Sequence, residues 1–140
     1  MAAATVAEIM SRDPEAVDAS MSIGEAARRM RSVDTGDVVV LDDGRPVGIL
    51  TDRDIVVRVV AEDRDGSTPV HEVCSGPDLV TVTPDTAVER AAEMMRSEAV
   101  RRLPVLDADR VVGIVSIGDL AIERDQDSAL ADISAADANR

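Results

Sequence analysis

Two short strings in this sequence carry groups able to do polar chemistry: Thr51-Asp52-Arg53-Asp54 and Ser116-Ile117-Gly118-Asp119. In each, a hydroxyl stands three residues before a carboxylate, directly after an apolar run. One reading is mechanical. The hydroxyl caps a helix by accepting a backbone N–H, and the acid faces the positive end of the helix dipole. The other is recognition. A carboxylate can accept hydrogen bonds from both hydroxyls of a vicinal diol, with a hydroxyl and unpaired N–H groups beside it. A third string, Arg101-Arg102, places two guanidiniums side by side. Such a pair can neutralise a phosphate and fork onto its oxygens, or it can be a solvated, salt-bridged strand edge.

Other chemistries lack their residues. The single His71 and single Cys74 cannot complete a zinc site of Cys/His type, so no metal site is expected. Catalysis by a Ser-His-Asp or Cys-His arrangement would need His71. That residue sits in Thr68-Pro69-Val70-His71-Glu72, read as a short helix start capped by Thr68 with Pro69 at its first position. No enzyme is expected. Phe, Tyr and Trp are absent, so a flat ligand would be gripped by aliphatic side chains, and base stacking of the single-strand nucleic-acid kind is excluded. The net charge of −13 repels phosphate backbones and anionic lipid alike. No apolar run approaches a membrane span, and Glu8 interrupts the N-terminal stretch where a secretory core would lie. A lone Cys74, beside Val73 in an apolar stretch, is read as a buried inert thiol in a reducing cytoplasm.

The chain repeats itself, and the repeat positions the chemistry. One constant offset takes Ile23 to Val88, Ala26-Ala27 to Ala91-Ala92, Met30 to Met95, Gly48 to Gly113 and Thr51 to Ser116. An offset one residue shorter pairs Val6–Met10 with Val70–Cys74. The repeats are placed at 5–62 and 68–124, with a tail at 125–140 read as partly helical or disordered. Each repeat opens with a short helix, the first through the box Thr5-Val6-Ala7-Glu8. Short strands at Ala16-Val17 and Leu79–Val82 follow. Helices then open at Ser22–Glu25 and Thr86–Glu89, both read as capping boxes, with apolar faces at i, i+3, i+4, i+7. Hairpins follow, Val38–Leu41 to Val47–Leu50 and Leu103–Leu106 to Val111–Val115, turning at Asp42–Arg45 and Asp107–Arg110. A last helix begins after Thr51, its buried stripe read as Ile55, Val56, Val59 and Val60, and another after Ser116. The fold class is mixed α/β (α+β), two β-α-β-β-α units. At about 60 residues neither has much core alone, so the two are expected to pack on each other.

The duplication, the element order and the strings Gly48-Ile49-Leu50-Thr51-Asp52-Arg53-Asp54 and Val100–Asp107 resemble the CBS domain family. Among stand-alone pairs (Bateman modules), the chain is similar to small bacterial stress and dormancy proteins. The resemblance implies two repeats related by a pseudo-twofold axis. It implies a homodimer, here expected through the helices after Ser22, Thr51, Thr86 and Ser116. It further implies an adenosine ligand, AMP, ATP or S-adenosylmethionine, held by the turn of one repeat and the strand entries of the other. Residue by residue, Asp54 and Thr51 would take the ribose, Ile49, Val80 and Val100 the adenine, and Arg101 and Arg102 the phosphate. A second, weaker position would comprise Ala16, Ile114, Ser116 and Asp119. There, repeat one supplies Glu15, Gly36 and Asp37, and a carboxylate near a phosphate is repulsive by roughly 1 kcal/mol. The alternative is a ligand-free interaction dimer. In either case the effector protein downstream is unknown.

Overall fold

The computed structural model describes residues 4–75 and 79–124; the tail expected at 125–140 lies outside the described residues. In chain order the strands are β1 (Ser11–Arg12), β2 (Ala16–Asp18), β3 (Asp37–Asp42), β4 (Arg45–Thr51), β5 (Arg102–Asp107) and β6 (Arg110–Ser116). The helices are α1 (Ile23–Val33), α2 (Asp52–Ile55), α3 (Val88–Glu98) and α4 (Ile117–Arg124). Short 3-10 turns lie at Val6–Glu8 and Val70–Glu72, and α2 continues directly into a π-helical segment, Val56–Val60.

These elements form two compact units, Pro14–Leu79 and Met1–Asp13 with Val80–Arg140. In the first, β2 runs parallel to β3 (Val17 opposite Val40), and β3 forms a hairpin with β4 (Val39 opposite Ile49). The hairpin closes on Asp43 and Gly44, both at positive φ, as a two-residue turn matched to strand twist requires. Ser22 caps α1 by accepting the Glu25 N–H at 3.2 Å, and Ile23, Ala26 and Met30 bury the predicted face. That face packs with Val38, Val40, Leu50, Val70 and Val73 in one core.

The second unit repeats this plan. Its sheet has the order β1-β6-β5, and β5 and β6 show the same burial alternation as β3 and β4. Even the irregularity between Val40 and Leu41 recurs between Val105 and Leu106. Val88, Ala91, Ala92 and Met95 of α3 bury against Leu103, Val105, Val115 and Leu120.

The units do not follow the repeats as the chain writes them. The leading segment of repeat one packs in the unit of repeat two: Val6 donates its N–H to Thr86, and β1 pairs antiparallel with β6. Reciprocally, Val70–Ser75 packs on the first sheet, where Ile49 and Ser75 exchange N–H···O bonds of 3.2 and 3.0 Å. Gly48 and Gly113 make this possible. A Cβ on Gly48 would lie 2.2 Å from the Ser75 carbonyl oxygen, and one on Gly113 2.4 Å from Met10 Sδ.

Several local expectations are corrected. Val56 and Val60 are 59% and 65% exposed, so only Val59 of that stripe is buried and Ile55 is half-buried. The π-helical turn rotates these side chains off the face an α-helix would give them. Leu79–Val82 forms no strand beyond a single bridge from Val82 to Val105. Thr86 does not cap α3; Ala87 holds the cap position while the Thr86 hydroxyl accepts the Thr83 N–H at 3.0 Å. Thr68 is not a cap either: its hydroxyl donates to the Asp65 carbonyl at 2.8 Å, and Pro69 precedes the 3-10 turn.

Candidate ligand site

The strand-to-helix turns are built as reciprocal boxes. Thr51 stays extended at the end of β4, and its hydroxyl accepts the Asp54 N–H at 3.1 Å. Asp54 Oδ2 accepts the Thr51 N–H at 2.9 Å in return. In the other unit Ser116 Oγ accepts the Asp119 N–H at 3.2 Å, and Asp119 Oδ2 accepts the Ser116 N–H at 2.8 Å. The mechanical reading of both strings therefore holds. Each box occupies Oδ2, holds a half-buried carboxylate in one orientation, and leaves Oδ1 out of the box.

The strand entries are equivalent too, which gives their charge difference meaning. The Asp52 N–H donates to the Gly36 carbonyl and the Ile117 N–H to the Arg101 carbonyl, both at 2.9 Å. Asp37 lies opposite Thr51 and Arg102 opposite Ser116. Gly36-Asp37 thus fills the backbone place of Arg101-Arg102. The turn of Thr51 and Asp54 has carboxylates in its own unit, Asp37 at the start of β3 and Asp52 at the start of α2; the turn of Ser116 and Asp119 has guanidiniums, Arg101 and Arg102.

The sequence-predicted residues fall into two groups. Ile49, Thr51, Asp54 and Ala16 belong to the first unit, with Ala16 opposite Val39 and Val39 opposite Ile49. Val80, Val100, Arg101, Arg102, Ile114, Ser116 and Asp119 belong to the second. Arg101 is exposed; Arg102, Val80 and Val100 are half-buried; Ile49 and Ile114 are largely covered, at 8% and 6% exposure.

Cys74 is a neighbour the sequence reading did not connect to the turn. It is half-buried, and the Cβ position of Gly48 lies 3.0 Å from its sulfur. Burial pushes the thiol pKa up, and the nearby Asp54 carboxylate pushes it further. The signal was the shorter offset, which sets Cys74 against Met10, the residue that covers Gly113 in the other unit. His71 is exposed on its 3-10 turn, as expected. Among the described residues no group of three His, Cys, Asp or Glu side chains could hold a metal ion, and no helix is long and apolar enough to cross a membrane.

The CBS domain family model matches residues 6–61 and 70–124. The chain belongs to the CBS domain family. It is a CBS pair, a regulatory module type, and two of its relatives are of similar length. YhcV of Bacillus subtilis is 40% identical over 120 residues, covering 86% of this chain and 85% of the relative. Hypoxic response protein 1 of Mycobacterium tuberculosis is 32% identical over 118 residues, covering 84% and 82%. Among solved structures, a CBS-domain protein from Burkholderia ambifaria aligns with a TM-score of 0.77 at 29% identity, covering 89% and 96% of the two chains. A CBS domain protein from Pyrobaculum aerophilum complexed with AMP aligns with a TM-score of 0.72 at 28% identity, covering 82% and 88%. Hypoxic Response Protein I, with two coordinated zinc ions, aligns at 0.72 and 32% identity, covering 84% and 96%.

Proposed function

We propose that this CBS pair is a non-catalytic sensor of an adenosine nucleotide, AMP or ATP, in a reducing cytoplasm. The observation that carries the reading is the closed Thr51–Asp54 box, which fixes a half-buried carboxylate beside a hydroxyl at a helix start. Asp54 Oδ1 takes the ribose diol and Thr51 lies beside it. Ile49, Val80 and Val100 supply aliphatic contacts to adenine, the chain having no aromatic ring. Arg101 and Arg102 take the phosphate as charge-assisted bonds. Ala16, Ile114, Ser116 and Asp119 form a weaker position, because Asp37 stands where Arg102 stands in the other repeat. The AMP complex of the Pyrobaculum relative supports the ligand class.

Calorimetry on nucleotide-stripped protein with adenosine, AMP, ATP and S-adenosylmethionine tests this. Arg102→Ala should weaken AMP and ATP roughly 10- to 100-fold and leave adenosine unchanged, since a charged hydrogen bond contributes about 1.5–3 kcal/mol. Asp54→Ala should weaken adenosine and AMP alike, and Asp119→Ala should do little. Loss of binding in Asp119→Ala with Asp54→Ala unaffected would reverse the assignment. A second reading, a ligand-free interaction homodimer, is favoured by the exposed Val56, Val57 and Val60. Absence of any adenosine binding at millimolar ligand, with a dimer in sedimentation, would put that reading in place of the first.

A further inference from the structure

A groove of about 430 Å³ runs along one flank of α3, inside a single unit. Its floor is aliphatic: Val82 is buried, and Met94 and Leu106 are half-buried. Arg90 and Met94 stand one turn apart on α3, and Thr86 precedes the cap residue Ala87 at the same four-residue spacing. Ala92 and Arg96, which line the side toward α4, lie about half a turn round the helix. The groove is therefore separate from the α3–α4 face. It shares no residue with the proposed nucleotide site and does not depend on that reading.

The hydrogen bonds of its wall set what can enter. The Thr83 hydroxyl donates to Asp85, so within the Thr83–Thr86 hydroxyl pair, 3.1 Å apart, Thr86 is the donor. Thr86 Oγ1 also accepts the Thr83 N–H at 3.0 Å. Both hydroxyl protons are spent and only lone pairs remain, so this wall accepts hydrogen bonds and does not donate them. Beside it, the Arg90 guanidinium donates and cannot accept. Its ion pair with Glu93, at 3.4 Å, is long and exposed, so it yields readily to a ligand. Asp109, at the β5–β6 turn, adds a carboxylate to the rim. Repeat one lacks this set: Met21, Glu25 and Arg29 stand where repeat two has Thr86, Arg90 and Met94. An acceptor wall next to a cation, over an aliphatic floor, matches an ammonium, a carboxylate and an apolar side chain carried on one carbon. We propose that the groove binds a free aliphatic α-amino acid. Its carboxylate pairs with Arg90. Its ammonium donates to the Thr83 and Thr86 hydroxyls in the field of Asp109, and its side chain lies on Met94, Leu106 and Val82.

Titration of L-leucine into the full chain, followed amide by amide by NMR, tests this. Saturable shifts are expected over Thr81–Arg90 and Leu106–Asp109, with a millimolar or tighter Kd. Leucinol, which lacks the carboxylate, and isocaproate, which lacks the ammonium, should each bind more weakly by about ten-fold. Arg90→Gln should weaken leucine by about ten-fold and Asp109→Asn by less. Glu93→Gln, which releases Arg90, should tighten it. Far-UV circular dichroism and the urea midpoint check the fold of each variant. No saturable shift with leucine, valine or methionine at millimolar concentration would overturn the proposal, as would shifts centred on other residues. Isocaproate binding as tightly as leucine, with Asp109→Asn silent, would also overturn it and leave a simple carboxylate site.

Discussion

Replacing Gly48 by alanine sets a methyl group against backbone. The new Cβ would lie 2.2 Å from the Ser75 carbonyl oxygen and 3.0 Å from Cys74 Sγ, so the crossing segment must withdraw by about 1 Å to reach ordinary contact. Withdrawal breaks the reciprocal Ile49–Ser75 bonds of 3.2 and 3.0 Å, each contributing about 0.5–1.5 kcal/mol. Overpacking adds about 1–3 kcal/mol. Alanine returns about 0.4–1 kcal/mol by restricting the unfolded chain. The net loss is about 1–5.5 kcal/mol, centred near 3. Gly113→Ala is the internal comparison. Its nearest contacts, at 2.4 and 2.9 Å, are to the flexible Met10 side chain, and its backbone contact, the Ser11 oxygen, lies at 2.9 Å. Met10 can re-rotamer, so about 1–2 kcal/mol is expected. Urea unfolding followed by far-UV ellipticity reads both, since the chain has no aromatic probe. The Gly48 variant should lose roughly 1–2 M of midpoint. A Gly48→Ala loss below about 0.5 kcal/mol, or one smaller than that of Gly113→Ala, would refute the account of these glycines.

The turn between β5 and β6 puts Ala108 and Asp109 at φ 51 and 67, where Asn-Gly is favoured; Ala108→Asn with Asp109→Gly should add about 0.5–1 kcal/mol. A thermal midpoint that stays level or falls would count against that turn geometry. Cys74 should alkylate more slowly than a free cysteine peptide, with its pH profile displaced upward, because burial and the Asp54 charge both disfavour the thiolate. Asp54→Asn should move the profile part-way back, and a wild-type profile coinciding with that of the peptide would contradict the placement. Asp119→Ala should cost about 1 kcal/mol of stability in chemical denaturation through the lost reciprocal box, and no loss would show that the box carries nothing.

What the sequence disclosed is local. The i, i+3, i+4, i+7 face of Ile23–Met30, the hairpins and the Thr/Ser-x-x-Asp boxes are each written within a few residues, and each folds accordingly. What stayed hidden is either non-local or irregular. Ile55–Val60 is too uniformly apolar for its pattern to choose a face, and the π-helical turn chose a different one. Thr86 matched a cap pattern but was taken by the turn at Thr83. The residues of the candidate site were legible as types; the partnership of Cys74 with the Asp54 turn was not, because it depends on which sheet Val70–Ser75 joins. A glycine in mid-strand at Gly48 and Gly113 was the available hint of a close crossing.

The exchanged leading segments bear on the molecularity of folding. Each sheet is completed by residues from the other half of the sequence, Val6–Arg12 on β6 and Val70–Ser75 on β4. A single repeat expressed alone would have to receive its missing piece from a second molecule, a second-order event whose yield depends on concentration. Fusion of two repeats makes the same event intramolecular and sets its effective concentration by tether length. The linker joining the halves therefore holds kinetic control, and cutting it should convert a concentration-independent folder into a bimolecular one.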